Sequence, residues 1–142
     1  ERKHRIEDAL EAVRAAQEEG IVCGGGCALA RAANKLALTT QTNEDNFHPD
    51  QVAALQVIRE ACQEPLKQMA LNSGESPDLI LTSVLQAKGT IGWDFRQGEL
   101  VDLLDRGIID PVKVTRTAIE NAVSCAGTLL TTNYGIIQTE AE

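Results

Sequence analysis

Aromatic residues are scarce in this chain: Phe47, Trp93, Phe95 and Tyr134 make up 3% of its 142 residues. So few rings leave no base-stacking platform of the kind that single-stranded nucleic acid uses. Positive charge is short as well, with 13 Lys and Arg against 21 Asp and Glu and a net charge of −8. The cations are scattered along the chain, so nucleic acid and anionic membrane are poor partners for its surface. No run of about eighteen apolar residues occurs, and no transmembrane helix is expected. Histidine is limited to His4 and His48, and no CxxC appears among Cys23, Cys27, Cys62 and Cys125. Zinc sites use paired short spacings, so the sequence predicts no metal site. Buried, reduced thiols are the plainer reading, because a sensor built on Cys23 and Cys27 lacks an activating neighbour. The charged opening, "ERKHRIEDAL", reads as the middle of a helix rather than a signal peptide. It suggests a piece cut from something longer.

What is present is a chain with 43% hydrophobic residues, enough for one globular core. Helices with punctuation dominate. Ile6, Ala9, Leu10, Val13 and Ala16 fall on one face of a helix over about 2–19, stopped by Gly20. "IVC" is a short extended linker, and Leu29, Ala32, Ala33 and Leu36 begin a second helix. "TTQTNEDNFHPD" reads as a polar loop. Pro49 and Asp50 open a third helix, and Pro65 restarts a short one that ends near residues 72–74. Ser76, Pro77 and Asp78 are a helix-start signal. Gly89, Gly92 and Gly98 break the helical rhythm in "KGTIGWDFRQGEL" and suggest a small hairpin. "LVDLLDRG" reads as a short helix ended by Gly107. Asp110 as N-cap and Pro111 at the first helical position open a long helix. Val114, Ala118, Ala122, Cys125, Ala126 and Leu129 line one of its faces. The tail "TTNYGIIQT" reads as one strand.

"CGGGC", residues 23–27, admits a metal clip, a phosphate loop or a hinge. The Walker pattern fails, because Gly26 and Cys27 stand where Lys and Ser/Thr belong. The Rossmann pattern fails for want of a core strand and a later ribose acid. What remains is backbone that a ligand can approach closely, at a helix start whose free amides favour an acceptor. A plain helix-to-helix connector is far commoner than a ligand site, and spacing alone favours it.

The longer run "EDALEAVRAAQEEGIVCGGGCALARAANKL" resembles the group I chaperonins, the ring-forming Hsp60/GroEL-type folding machines. A second block, "GIIDPVKVTRTAIENAVSCAGTLLTT", is similar to another segment of that family. The resemblance covers essentially the whole chain and is weakest over 37–95. It implies a mainly α fold: a truncated equatorial-domain-like helical bundle with a small β-hairpin and a C-terminal strand. Residues 1–20 would be the last helix of the intermediate domain, and 21–142 the C-terminal half of the equatorial ATPase domain. Carried over residue by residue, Asp8 matches the catalytic aspartate and Gly20 the lower hinge. Gly25 matches the glycine whose backbone lies against the nucleotide. Ile108 matches the residue flanking the adenine, and Asp110 the acceptor of ribose hydroxyls. Glu19 and Arg116 are implied to pair across the hinge.

One departure stands out. Many members carry Asn–Ala where this chain has Asp94 and Phe95, at the hairpin that contacts the base. An acid accepts from the adenine amino group but cannot donate as an amide does. The departure keeps open an alternative, a degenerate paralogue that serves as a helical scaffold without turnover. The resemblance further implies ATP as ligand, with Mg²⁺ held mainly by residues upstream of Glu1, and a homo-oligomeric double ring. It implies a co-chaperonin lid, unfolded client proteins, and a bacterial cytoplasmic or mitochondrial-matrix location. Phosphoryl transfer depends on several elements together, so the 142-residue chain by itself is expected to hydrolyse no ATP.

Overall fold

The computed structural model describes residues 1–41 and 47–137. Five helices and two small antiparallel sheets follow one another as α1 (Arg2–Glu19), β1 (Ile21–Cys23), α2 (Cys27–Gln41), α3 (Pro49–Asn72) and α4 (Pro77–Gln86), then β2 (Ile91–Asp94), β3 (Glu99–Asp102), β4 (Ile109–Pro111) and α5 (Val112–Leu130). The architecture is mainly helical, as the residue periodicity implies. The central core is small: Cys27, Ala30, Leu66, Ala70, Ile80, Val84 and Leu103 gather from α2, α3, α4 and the turn after β3. Cys27, Ala30 and Ala33 recur every three residues on the buried side of α2. Such small side chains let the backbone of α3 come close.

Several expectations are corrected. Pro65 does not restart a helix but lies inside the unbroken α3. A proline there removes one backbone hydrogen bond and costs about 3 kcal/mol, which burial of the neighbouring Leu66 and Ala70 offsets. His48 caps α3 in an unforeseen way: its ring accepts from the Asp50 amide at 3.3 Å, while the Gln51 side chain accepts from the His48 amide at 3.0 Å. The "LVDLLDRG" stretch is not a helix, since Glu99–Asp102 pairs with β2 from Asp94↔Glu99 to Ile91↔Asp102. Asp102 then captures the amides of Leu104 (3.0 Å) and Asp105 (3.3 Å) and takes the Thr90 hydroxyl, a side-chain alternative to helical hydrogen bonding. Residues 132–137 run without helix or strand, and the rest of the expected C-terminal strand lies outside the described residues. The expected polar loop falls partly outside them: its first residues continue α2 to Gln41, and Pro49 and Asp50 at its end already belong to α3.

At the N-terminal side, α1 buries no residue and leans on α5 and β4. Gly20 ends it with φ 85° and ψ −168°, a backbone region that is essentially glycine-only. That one residue turns the chain from helix directly into β1. "IVC" is thus more than a linker, because it pairs with β4: Ile21↔Pro111, Val22↔Asp110 and Cys23↔Ile109. Backbone bonds extend the ladder at both ends, from Val112 N to Gly20 O (3.1 Å) and from Gly24 N to Ile108 O (2.9 Å). Among the described residues no helix is long and apolar enough to cross a membrane.

Candidate functional site

The β1–β4 ladder fixes the site, because it brings the glycine turn 24–26 onto the segment that carries Ile108 and Asp110. The three glycines differ in what surrounds them. A Cβ on Gly24 would stand 3.1 Å from the Ile108 carbonyl carbon, and one on Gly26 2.8 Å from the Leu66 amide nitrogen. Those two positions are glycine because protein backbone fills the space. Gly25, with φ 65°, is different: its missing side chain would meet only the Trp93 carbonyl oxygen, at 3.8 Å. Its backbone is therefore the part of the turn open to a ligand, and the β2–β3 hairpin forms the opposite wall.

Asp110 is a residue of β4 and not the helix cap expected of it. The N-cap of α5 is Pro111, which makes no side-chain cap bond. The ladder with Val22 holds Asp110 extended, one residue too early to cap. Among the described residues its half-buried carboxylate has no hydrogen-bond or ion-pair partner, and burial pushes its pKa up. A desolvated acceptor with no protein donor favours any hydroxyl or amide donor brought to it. Ile108, two residues before it, is half-buried against the core, its amide bonded to Leu103 O at 2.8 Å.

Asp94 ends β2 and Phe95 opens the hairpin turn, each with a structural task. Asp94 is 7% exposed, and its Oδ1 accepts from the amides of Arg96 (2.8 Å) and Gln97 (3.4 Å), which closes the hairpin turn. Phe95 packs against the core. Gly25, Ile108, Asp110 and the hairpin are thus brought together, whereas Asp8 stands apart. It is exposed on α1, about 18 Å along the axis from Gly20 at the α-helical rise, and lines a groove whose other wall is α5.

Charged contacts join the end of α1 to the start of α5. Arg116 grips Glu19 with two bonds, Nη2–Oε1 at 2.6 Å and Nε–Oε2 at 3.0 Å, and also reaches Glu120 at 2.8 Å. Lys113 pairs with Glu18 beside it. The Arg116 hydrogen bond holds the Glu19 carboxyl below the usual carboxylate range, and both partners raise the pKa of Arg116. All four cysteines are free. Burial pushes the Cys27 and Cys62 thiols up, as inert core residues should behave, while Cys125 is exposed against expectation. Among the described residues no three His, Cys, Asp or Glu side chains gather to hold a metal ion. The unpartnered Asp110 carboxylate and the open Gly25 backbone suit a ligand that brings hydroxyl or amide donors, and among the described residues no ligand set for Mg²⁺ gathers. Sequence reasoning missed Arg31 and Trp93. Arg31 is a lone cation in the otherwise apolar "CALARAA" turns, a weak signal that only the fold makes legible.

The glycine turn is held by a two-stranded clasp, and α1 enters that clasp through Gly20. Over residues 1–140 the chain matches the TCP-1/cpn60 chaperonin family, and it belongs to that family. The open-state monomer of a group II chaperonin from Methanococcoides burtonii has a similar fold, with a TM-score of 0.77 and 24% sequence identity over 92% of this chain. The chain spans 33% of that monomer's length.

Proposed function

We propose that the chain is the C-terminal portion of a group I chaperonin subunit, in which ATP binding and hydrolysis drive the encapsulation and folding of unfolded proteins. One observation carries the reading: the clasp ties the glycine turn, with open backbone at Gly25, to the strand that carries a half-buried Asp110 carboxylate with no partner among the described residues. In this reading the Gly25 backbone lies along the nucleotide, Ile108 flanks the adenine, and Asp110 accepts from the ribose hydroxyls. The β2–β3 hairpin closes over the base at Asp94 and Phe95. Asp8 orients the attacking water once α1 turns about Gly20, a task suited to a carboxylate on a rigid helix beside a hinge. The group I assignment is supported by "EEGIVCGGGC" and "DPVKVTR". The subunit then works in a double ring with a co-chaperonin lid, in the bacterial cytoplasm or the mitochondrial matrix. Mg²⁺, which neutralises phosphate charge when bound, is held by residues elsewhere in the subunit.

The test is phosphate release by the full-length subunit and its Asp8→Ala variant. Release should fall at least about 100-fold, the scale of a lost acid–base group, while ATP is still bound. Equal release by the two proteins sinks the catalytic assignment. A second reading, a helical scaffold without turnover, is favoured by one observation: Asp94 already serves the hairpin turn and Phe95 the core. Titration calorimetry of the full-length protein with a non-hydrolysable ATP analogue separates the two, since a scaffold of this kind gives no heat of binding.

A further inference from the structure

Arg31 lies on the second turn of α2, one turn beyond the glycine triplet that precedes the helix. No carboxylate pairs with it among the described residues; its guanidinium is surrounded by backbone oxygen. Nε and Nη2 donate to Val84 O at 3.3 and 3.0 Å, Nη2 to Ala87 O at 3.3 Å, Nη1 to Gly89 O at 2.7 Å, and Nη2 also to Ile91 O. Val84 and Ala87 belong to the last turn and cap of α4. Helix ends leave such carbonyls without amide partners and with partial negative charge. Gly89 lies in the connection, and Ile91 is the first residue of β2. One side chain therefore ties the root of the hairpin to the helix that the glycine turn opens.

The other end of the same hairpin faces that turn, with the Trp93 carbonyl 3.8 Å from where a Gly25 Cβ would stand. Both walls of the space at Gly25 are thus braced against α2. We propose that Arg31 is a positioning residue of the nucleotide site: it sets the distance between the β2–β3 hairpin and the glycine turn, and so the grip on the base. This rests on the nucleotide-site reading above. A lysine keeps the charge but presents a single point donor in place of a planar fork, and cannot reach four carbonyls at once.

The experiment uses the full-length, ring-assembled subunit with Arg31→Lys, and Arg106→Lys in the exposed turn just after the same hairpin, where it pairs with Glu99, as control. We expect KM for ATP to rise about 10-fold with kcat held within about twofold, the pattern of lost uniform binding. The amides of 91–94 should exchange faster. Arg106→Lys should match wild type throughout. Faster hairpin exchange with a wild-type KM overturns the proposal, because Arg31 would then be structural only. Unchanged exchange overturns it too, because Arg31 would then hold nothing. Thr90→Val, which frees the hairpin root from Asp102, tests the same link if Arg31→Lys fails to assemble. A wild-type KM with accelerated exchange in that variant is equally fatal. A wild-type subunit that binds no ATP analogue removes the nucleotide-site reading itself, and this proposal with it.

Discussion

The three glycines at 24–26 look alike in the sequence and carry different constraints. Gly26→Ala pushes a methyl into the Leu66 backbone at 2.8 Å, and overpacking of this kind costs about 1–3 kcal/mol. Gly25→Ala meets nothing closer than 3.8 Å, so it bears mainly the left-handed strain of about 1–2 kcal/mol. We expect urea unfolding to rank Gly26→Ala as the more damaging for the fold, and ATP-analogue titration of the full-length subunit to rank Gly25→Ala as the more damaging for binding. A single ranking for both readouts refutes the division of labour. Asp110 gives a prediction with a definite sign. Its folded pKa is raised by burial, so the folded state holds a proton that the unfolded chain releases. The stabilisation tied to that proton is complete below the ordinary carboxylate pKa and is lost as pH rises through the raised value. Asp110→Asn removes this term, so the advantage of the variant over wild type in thermal unfolding should grow as pH rises from 3 towards 7. A constant difference would mean that Asp110 is not desolvated.

Among elements, the joint between α1 and α5 is electrostatic and its contacts are exposed. Glu19 has its pKa lowered by Arg116, so the pair is formed above the ordinary Glu range and is lost as pH falls through the lowered value. Exposed pairs are screened by salt. Glu19→Gln should therefore change global stability little, while hydrogen exchange should show the amides of α1 opening faster at low salt. The difference from wild type should shrink at high salt, and a salt-independent effect would argue against the ion pair. The elements also show what the sequence could disclose. Helix starts marked by proline, at Pro49 and Pro77, are local signals, and they fall where read. Strands β3 and β4 are not local: "LVDLLDRG" is a fair helix on propensity, and Asp110 a fair cap. Only pairing with β2 and with β1 overrules both. Gly25, Ile108 and Asp110 were singled out through the family pattern, and the ladder ties the segments that carry them. Arg31 was not, since its partners are backbone carbonyls 53 to 60 residues away and leave no side-chain pattern to read.

At the scale of the molecule, burial is uneven. The core runs through α2, α3, α4 and the hairpin, whereas α1 and α5 contain no buried residue. Ala118, Ala122 and Ala126 of α5 face Val57, Ile58 and Ala61 of α3 across an apolar groove of about 310 Å³. Leu66→Ala, at a fully buried site, should destabilise by about 2–5 kcal/mol. Val57→Ala, at a site 67% exposed, should stay within about 0.5 kcal/mol. Native-state hydrogen exchange should find the C-terminal half of α5 opening well below the global unfolding energy, because few apolar contacts hold it. Protection there equal to that of α3 would refute this reading.

The clasp between β1 and β4 has a mechanical corollary. Both chains leave it at the same end, α1 through Gly20 and α5 through Val112. A pull that separates the two helices is thus applied in unzipping geometry, which loads one rung at a time instead of shearing the whole ladder. The rung between Val112 and Gly20 yields first, the Val22–Asp110 pair comes next, and the Gly24–Ile108 bond at the glycine turn is the last to feel tension. A lever force on α1 therefore reaches Asp110 before it reaches Gly25.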